Sequence, residues 1–436
     1  MARSRADDRE ILRLAVPAFL ALVAEPLFLL ADSAIVGHLG TDQLAGLGIA
    51  GAVLSTVISV CIFLAYGTTA SVARRIGAGD VAGALTQGID GIWLAVLIGS
   101  VMTVLGVPLA SWLVGLFGPG ATVADQASTY LRIGLLGAVP LLVMLATTGI
   151  LRGLQDTRTP LVVAVVANLV NVGLNLWLVY GLDLGIAGSA LGTVVAQVGS
   201  ATALLVVVVR AARRHRASLR PSVAGVRGAG SAGVPLLLRT LTLRAGLLLM
   251  TYGAAALGPA DLAAMQVAMT VWTFLAFALD AIAIAAQAIT GRYLGAGDAR
   301  GTRALTGRML WWGVVAGVAT GLALAASSRW LGPVFTTDPV VRDLLVPVFL
   351  VAALAQPVAG VVFVLDGVLI GAGDGRYLAR AGLVVLVAFA PAAWVAVAAG
   401  GTLVWLWVAF TVVFMGGRAV VLLLRAAGDA WMRLGA

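Results

Sequence analysis

Lysine is missing from this chain altogether; all 28 basic residues are arginine. A Walker A phosphate loop needs its lysine on the nucleotide phosphates, so ATP-driven work by this chain alone is excluded and no ATPase subunit is implied. Cysteine occurs only as Cys61, so no intrachain disulfide can form. With His38 and His215 the only histidines, an ordinary Cys/His zinc site lacks ligands. No HExxH, Asp-rich diphosphate motif or nucleophile constellation is present, so an enzyme is not expected, nor a cofactor. Charge is also scarce. Only 11% of residues are charged, against roughly 25% in soluble domains.

What is abundant is apolar: 61% hydrophobic residues and a mean hydropathy of +1.06. A water-soluble fold could not cover that surface, so the lipid bilayer is the expected solvent. Twelve apolar runs are long enough to cross a membrane, at about 11–36, 46–73, 88–116, 129–151, 160–182, 185–209, 231–256, 262–290, 306–327, 343–370, 378–399 and 401–424. The first is too long and too acidic for a cleaved signal peptide. The reading is an all-α integral membrane protein of twelve transmembrane helices.

The net charge of +9 follows topology rather than a nucleic-acid partner. With Arg3, Arg5 and Arg9 in the cytoplasm, the even-numbered breaks hold Arg74 and Arg75, Arg152 and Arg158, the Arg210–Arg227 cluster, Arg292, Arg300 and Arg303, and Arg376 and Arg380. The opposite breaks hold Arg329 and Arg342. By the positive-inside rule both termini are cytoplasmic, in a plasma (inner) membrane. Asp90, Asp125 and Asp183 fall near helix ends and are expected in water.

The stretches RIGAGD and YLGAGD place GAGD at Gly77 and Gly295, an offset of 218, half of the 436 residues. The same offset relates Pro17 to Pro235, and Gly149, Gly153, Asp156 and Arg158 to Gly367, Gly371, Asp374 and Arg376. Six helices per half keep both copies in one orientation, so the halves read as parallel repeats about an axis along the membrane normal, a secondary-transporter plan. The expected division is an N-terminal lobe at 1–209, an Arg-rich cytoplasmic linker at 210–230 and a C-terminal lobe at 231–436. Each GAGD reads as a turn, with glycine ending one helix and aspartate capping the next.

Ionisable side chains inside membrane runs are functional candidates by default. Here they are Glu25 and Asp32, seven apart in the first run and flanking Pro26, which removes a helical hydrogen bond and makes a hinge; Arg239 and Arg244; Asp280; and Asp366. All three asparagines of the chain, Asn168, Asn171 and Asn175, form one stripe of the fifth run. By depth, Asn171 and Asn175 match Asp32, with Thr193 and Gln197 on the sixth run at outer to middle depth. Such oxygens suit proton exchange or a hard cation such as Na⁺; interhelical packing is the other use of the amides. In the C-terminal half, Arg244 with Asp280 and Arg239 with Asp366 are expected as neutralising pairs, Gln287 lying on the Asp280 face.

At these residues the chain resembles the multidrug and toxic compound extrusion (MATE) family, most closely its DinF-like branch. LAVPAFLALVAEPLFLLADSAIVGHLG, RGLQDTRTPL, ANLVNVGLNLWLVYGLDLGIAGSALGTVVAQ, FALDAIAIAAQAITGRYLGAGD and VLDGVLIGAGD carry the likeness through both halves. The resemblance implies two six-helix lobes around a central cleft and export of organic cations, drugs or other amphiphiles by antiport with H⁺ or Na⁺. It makes Asp32 the cation-coupling residue, with Asn171, Asn175 and Thr193 completing the pocket. Many relatives carry Asp where this chain has Asn175, and the single carboxylate favours protons. A lipid-linked oligosaccharide flippase of the same superfamily is the alternative that Arg239 and Arg244 keep open, and an intramembrane enzyme the alternative of another class.

Overall fold

The structure is a computed structural model that describes residues 2–399 and 401–435, with side chains from Asp7 onward. The side chains of Arg3 and Arg5 lie outside that description. An apolar run in hydrocarbon must satisfy its backbone polar groups internally, and the chain does so as helix: α1 (Ala2–Gly37), α2 (Thr41–Cys61), α3 (Phe63–Gly77), α4 (Val81–Gly115), α5 (Ala121–Leu136), α6 (Ala138–Gly153), α7 (Arg158–Leu176), α8 (Gly185–Arg214), α9 (Val223–Leu257), α10 (Pro259–Gly295), α11 (Ala299–Phe335), α12 (Pro339–Gly371), α13 (Gly375–Ala398), α14 (Leu403–Ala409) and α15 (Gly416–Ala427). Wider π-helical turns, Trp177–Gly181 and Phe410–Met415, follow α7 and join α14 to α15. Among the described residues these make eleven membrane spans plus one bent pair, α5 and α6, meeting at 49°.

The bend has a local cause. Pro140 offers no N–H to the Leu136 carbonyl, and the Gly137 N–H closes a tighter turn onto Gly134 O at 3.0 Å. The fourth apolar run, expected at 129–151, is thus the core of a longer, broken span. Other helices also outrun their apolar stretches, since alanine and arginine are good helix formers. Between the halves α8 continues to Arg214 and α9 begins at Val223, so the non-helical link is shorter than 210–230. Asp90, expected in water, is instead only 4% exposed. Its carboxylate accepts from the Ser222 backbone N–H and hydroxyl at 2.9 and 3.2 Å.

Two sets of residues pack internally: Leu20–Val234, and Met1–Phe19 with Pro235–Ala436. In the first, Tyr130, Leu131 and Leu135 of α5 pack with Leu47 and Ala50 of α2 and Ile186 of α8. In the second, Asp8 accepts from Arg308 Nε and Nη2, both at 2.6 Å, and from Trp312 Nε1 at 2.8 Å, while Arg292 pairs with Glu10. The N-terminal end of α1 is thereby tied to α10 and α11. The duplicated turns repeat in detail. Asp80 accepts from Gly83 N–H at 2.8 Å and Asp298 from Gly301 N–H at 2.7 Å, with Gly79 and Gly297 at φ of 80° and 75°.

Candidate functional site

Asp32 lies in the C-terminal part of α1 and is 3% exposed. Three neutral donors from three other helices converge on it. Asn175 Nδ2 of α7 and Ser189 Oγ of α8 donate to Oδ1 at 2.8 and 2.5 Å. The Tyr130 hydroxyl of α5 donates to Oδ2 at 3.2 Å. Among the described residues no arginine or histidine pairs with this carboxylate. A buried charge held by hydrogen bonds alone is an exchangeable charge, because no fixed cation competes with an incoming proton or metal ion.

Local structure aims these groups. The π-helical turn after α7 closes with Leu182 N–H on Trp177 O at 2.9 Å, and Tyr180 Oη donates to Ile35 O of α1 at 2.6 Å. That bond ties α7 to α1 one turn beyond Asp32; π turns recur at functional sites. Asn168, earlier on the same stripe, donates to Ala24 O at 3.1 Å. Two glycines make room: the side-chain oxygens of Asn175 and Gln197 stand where Gly192 and Gly137 would carry a Cβ.

The site also holds spare acceptors. Oδ1 of Asn171 and of Asn175, Oγ1 of Thr193 and Oε1 of Gln197 are buried with no hydrogen-bond partner, an arrangement that costs free energy unless something donates to them or coordinates them. Thr193, Gln197 and Tyr130 line a cavity of about 40 Å³ whose other walls are apolar, including Leu54, Ile58 and Met102. That is enough for water-sized occupants.

Of the sequence candidates, Asp32 and Asn175 bond directly, and Asn171, Thr193 and Gln197 contribute the unpartnered oxygens. Asn168 holds α1 backbone instead. Glu25 is exposed and outside the Asp32 network. Pro26 lies between the two acids, within an unbroken α1. Ser189 and Tyr130 were not singled out from sequence, since hydroxyls in apolar helices give no composition signal.

The repeat shows how one-sided the site is. Adding 218 to Asp32, Tyr130, Asn171, Asn175, Ser189 and Gln197 gives Met250, Val348, Phe389, Ala393, Trp407 and Met415, while Thr193 keeps its type as Thr411, whose buried Oγ1 likewise has no hydrogen-bond partner. The C-terminal half fills that region with an aromatic cluster, Trp407 lying 5.8 Å from Trp272 and 5.6 Å from Phe410. Its polar centre lies elsewhere. Asp366 Oδ2 receives both Arg239, as the sequence suggests, and Arg418 at 2.7 Å. Arg418, in the last apolar run, went unnoticed in the sequence. Gln287 is buried, Asp280 half-buried and Arg244 exposed.

The MatE family model matches residues 17–177 and 235–395, two segments themselves 218 apart. Protein DETOXIFICATION 44, chloroplastic, of Arabidopsis thaliana is 31% identical over 400 residues, covering 86% of this chain and 74% of that protein. DNA damage-inducible protein F of Escherichia coli K12 is 31% identical over 304 residues, covering 68% and 66%. Among solved structures, a mutant of the Vibrio cholerae MATE transporter VcmN superposes with a TM-score of 0.89 at 19% identity, covering 99% of this chain and 100% of that one, a likeness of fold.

Proposed function

The chain belongs to the MATE family of multidrug and toxic compound efflux transporters, and we propose that it exports small amphiphilic molecules, organic cations among them, in exchange for protons bound at Asp32. The observation that carries this reading is the buried Asp32 carboxylate, which three neutral donors stabilise and which pairs with no cation among the described residues. The chain is a multi-pass membrane protein. The arginine asymmetry supports an inner-membrane setting with both termini in the cytoplasm.

Ionised, the carboxylate cross-links α1 to α5, α7 and α8. A proton added at Oδ2 is matched by Tyr130 alone, because a hydroxyl can reverse from donor to acceptor. Tyr130 Oη–H then turns towards the cavity, where Gln197 Oε1 and Thr193 Oγ1 are open acceptors. A proton at Oδ1 can be matched by Ser189, whose hydroxyl also reverses, but it opposes the fixed N–H donor of Asn175. Either way neutralisation removes the charge assistance from the bonds that hold α1 to its neighbours, with Pro26 as the hinge, and changes which arrangement of the two lobes is favoured. Substrate leaves outward as the proton enters; the lobes then return to release it inside.

Na⁺ is the second reading. The unpartnered oxygens of Asn171, Asn175 and Thr193 beside one carboxylate are hard ligands of the kind it prefers. Proteoliposomes with a pH gradient alone, or a Na⁺ gradient alone, separate the two. The proton reading expects efflux under the first and not the second, and loss of the pH-driven efflux in Asp32→Asn. Full transport by Asp32→Asn under a pH gradient overturns it.

A further inference from the structure

Between Arg210 and Gly230 the chain carries Arg210, Arg213, Arg214, Arg216, Arg220 and Arg227 and no acid. All six are exposed, and none joins an ion pair among the described residues. Arg210, Arg213 and Arg214 share one face of the last turns of α8, by their spacing of three and four.

This basic stretch is docked rather than loose. It turns at Arg216, which takes φ 56°, with Ala217 N–H bonded to Ala212 O at 2.8 Å. It then runs along one stripe of α4, at Thr86, Asp90 and Trp93, spaced four and three. Thr86 Oγ1 accepts from Ser218 N–H at 3.2 Å, and Trp93 Nε1 donates to Leu219 O at 3.2 Å. Asp90 takes both its bonds from Ser222. Asp90 is therefore occupied by a serine, and the six exposed arginines stand on a docked backbone. A fixed platform loses less conformational freedom on binding than a flexible tether. Trp93 keeps 42% of its surface exposed beside the platform, as an amphipathic ring suited to headgroup level does.

We propose that this docked arginine platform is a binding surface for the phosphate-bearing headgroups of anionic phospholipids, at the membrane face where α8 ends and α9 begins. The position makes a lipid the natural source of the phosphate, because two membrane helices enter and leave at that point. Clustered basic residues next to a span are attracted to anionic lipid and screened by salt.

The test offers the full-length chain, purified in neutral detergent, equal amounts of phosphatidylglycerol and phosphatidylcholine and counts retained lipids by native mass spectrometry. The expected result is at least fivefold more phosphatidylglycerol retained. Combined R213Q/R214Q/R216Q/R220Q should bring it down to the phosphatidylcholine level, and the four corresponding Arg→Lys changes should keep at least half of it. Inorganic phosphate in millimolar excess should displace little. A glutamine variant that melts like the wild type and retains as much phosphatidylglycerol overturns the proposal, and so does full displacement by inorganic phosphate, which would mark a small-anion site. Should the variant fold poorly, the wild type decides: retention must fall severalfold as salt rises from about 0.1 to about 0.5 M, and retention indifferent to salt overturns the proposal.

Discussion

The side-chain oxygen of Asn175 occupies the space in which Gly192 would carry a Cβ. The α7–α8 contact at the site therefore depends on a missing methyl group. Gly192→Ala must push the Asn175 amide off Asp32 Oδ1, at an overpacking cost of about 1–3 kcal/mol. The expected variant is folded, melts a few degrees lower, and transports like Asn175→Ala. A Gly192→Ala protein with unchanged transport would show that the Asn175–Asp32 bond does not matter.

Two buried acids should respond oppositely to amide substitution. Asp32 is surrounded by neutral donors, and an asparagine oxygen can still accept from Ser189 or Tyr130. Asp32→Asn should fold normally and lose coupled transport. Asp366 balances Arg239 and Arg418. Asp366→Asn would leave buried guanidinium charge uncompensated, a loss on the order of 3–5 kcal/mol. Thermal melts of the two variants side by side check this; a stable Asp366→Asn would mean the arginines find other partners.

These contrasts mark how far the sequence could be read. Asp32 was visible because an acid in an apolar run is costly and therefore conspicuous, and the asparagine stripe because its spacing matches a helix face. The repeat, the GAGD turns and the helical architecture follow from offset, glycine and hydropathy. Ser189 and Tyr130 were not legible, since hydroxyls are common in apolar helices and only packing shows which ones meet the carboxylate. Glu25 shares a face with Asp32 by spacing, yet the helices that cover Asp32 leave Glu25 uncovered. The linker showed its charge in the sequence but not its docking, because the partners Thr86, Asp90 and Trp93 lie more than 100 residues away.

Ion choice should be switchable at Asn175. Asn175→Asp would put a second carboxylate beside Asp32, close to the unpartnered oxygens of Asn171 and Thr193. Two carboxylates with neutral oxygens are a better ligand set for a hard monovalent cation than one. The variant should gain Na⁺-driven efflux in proteoliposomes without a pH gradient, where the wild type shows none. If wild type and variant respond equally to Na⁺, the carboxylate count at this site does not set the ion.

The helix caps should contribute a pH dependence of a different kind. The Gly83 N–H first, and then the Arg75 guanidinium, hold the Asp80 carboxyl below its ordinary value. Its contribution to stability is therefore present in full above the ordinary carboxylate range and is lost as pH falls through that range to the lowered folded value. Asn is as good a cap as Asp, so Asp80→Asn isolates the charge. The melting difference between it and the wild type should be constant near neutral pH and shrink only in acid. A change in transport near neutral pH that vanished in Asp80→Asn would move the pH sensor from Asp32 to this turn.

If protons bound at Asp32 drive export, the asymmetry of the repeat leads us to expect one coupling proton per chain. A duplicated transporter could carry two exchange sites, one per half. Here the positions equivalent to Asp32, Asn171, Asn175 and Ser189 are Met250, Phe389, Ala393 and Trp407, and Met250, Phe389 and Trp407 are buried in apolar surroundings. None of the four residues titrates. Of the two acids in apolar runs of the C-terminal half, Asp366 is held by two guanidinium groups, which leaves half-buried Asp280 as the remaining candidate there for a second exchange. Adding saturating substrate to the detergent-purified protein in weak buffer should release about one proton per chain, since the two ligands exclude each other in antiport. Asp32→Asn should release none. Two protons per chain, or release that persists without the Asp32 carboxylate, would assign exchange to a second acid, Asp280 or Glu25, and overturn the single-site reading.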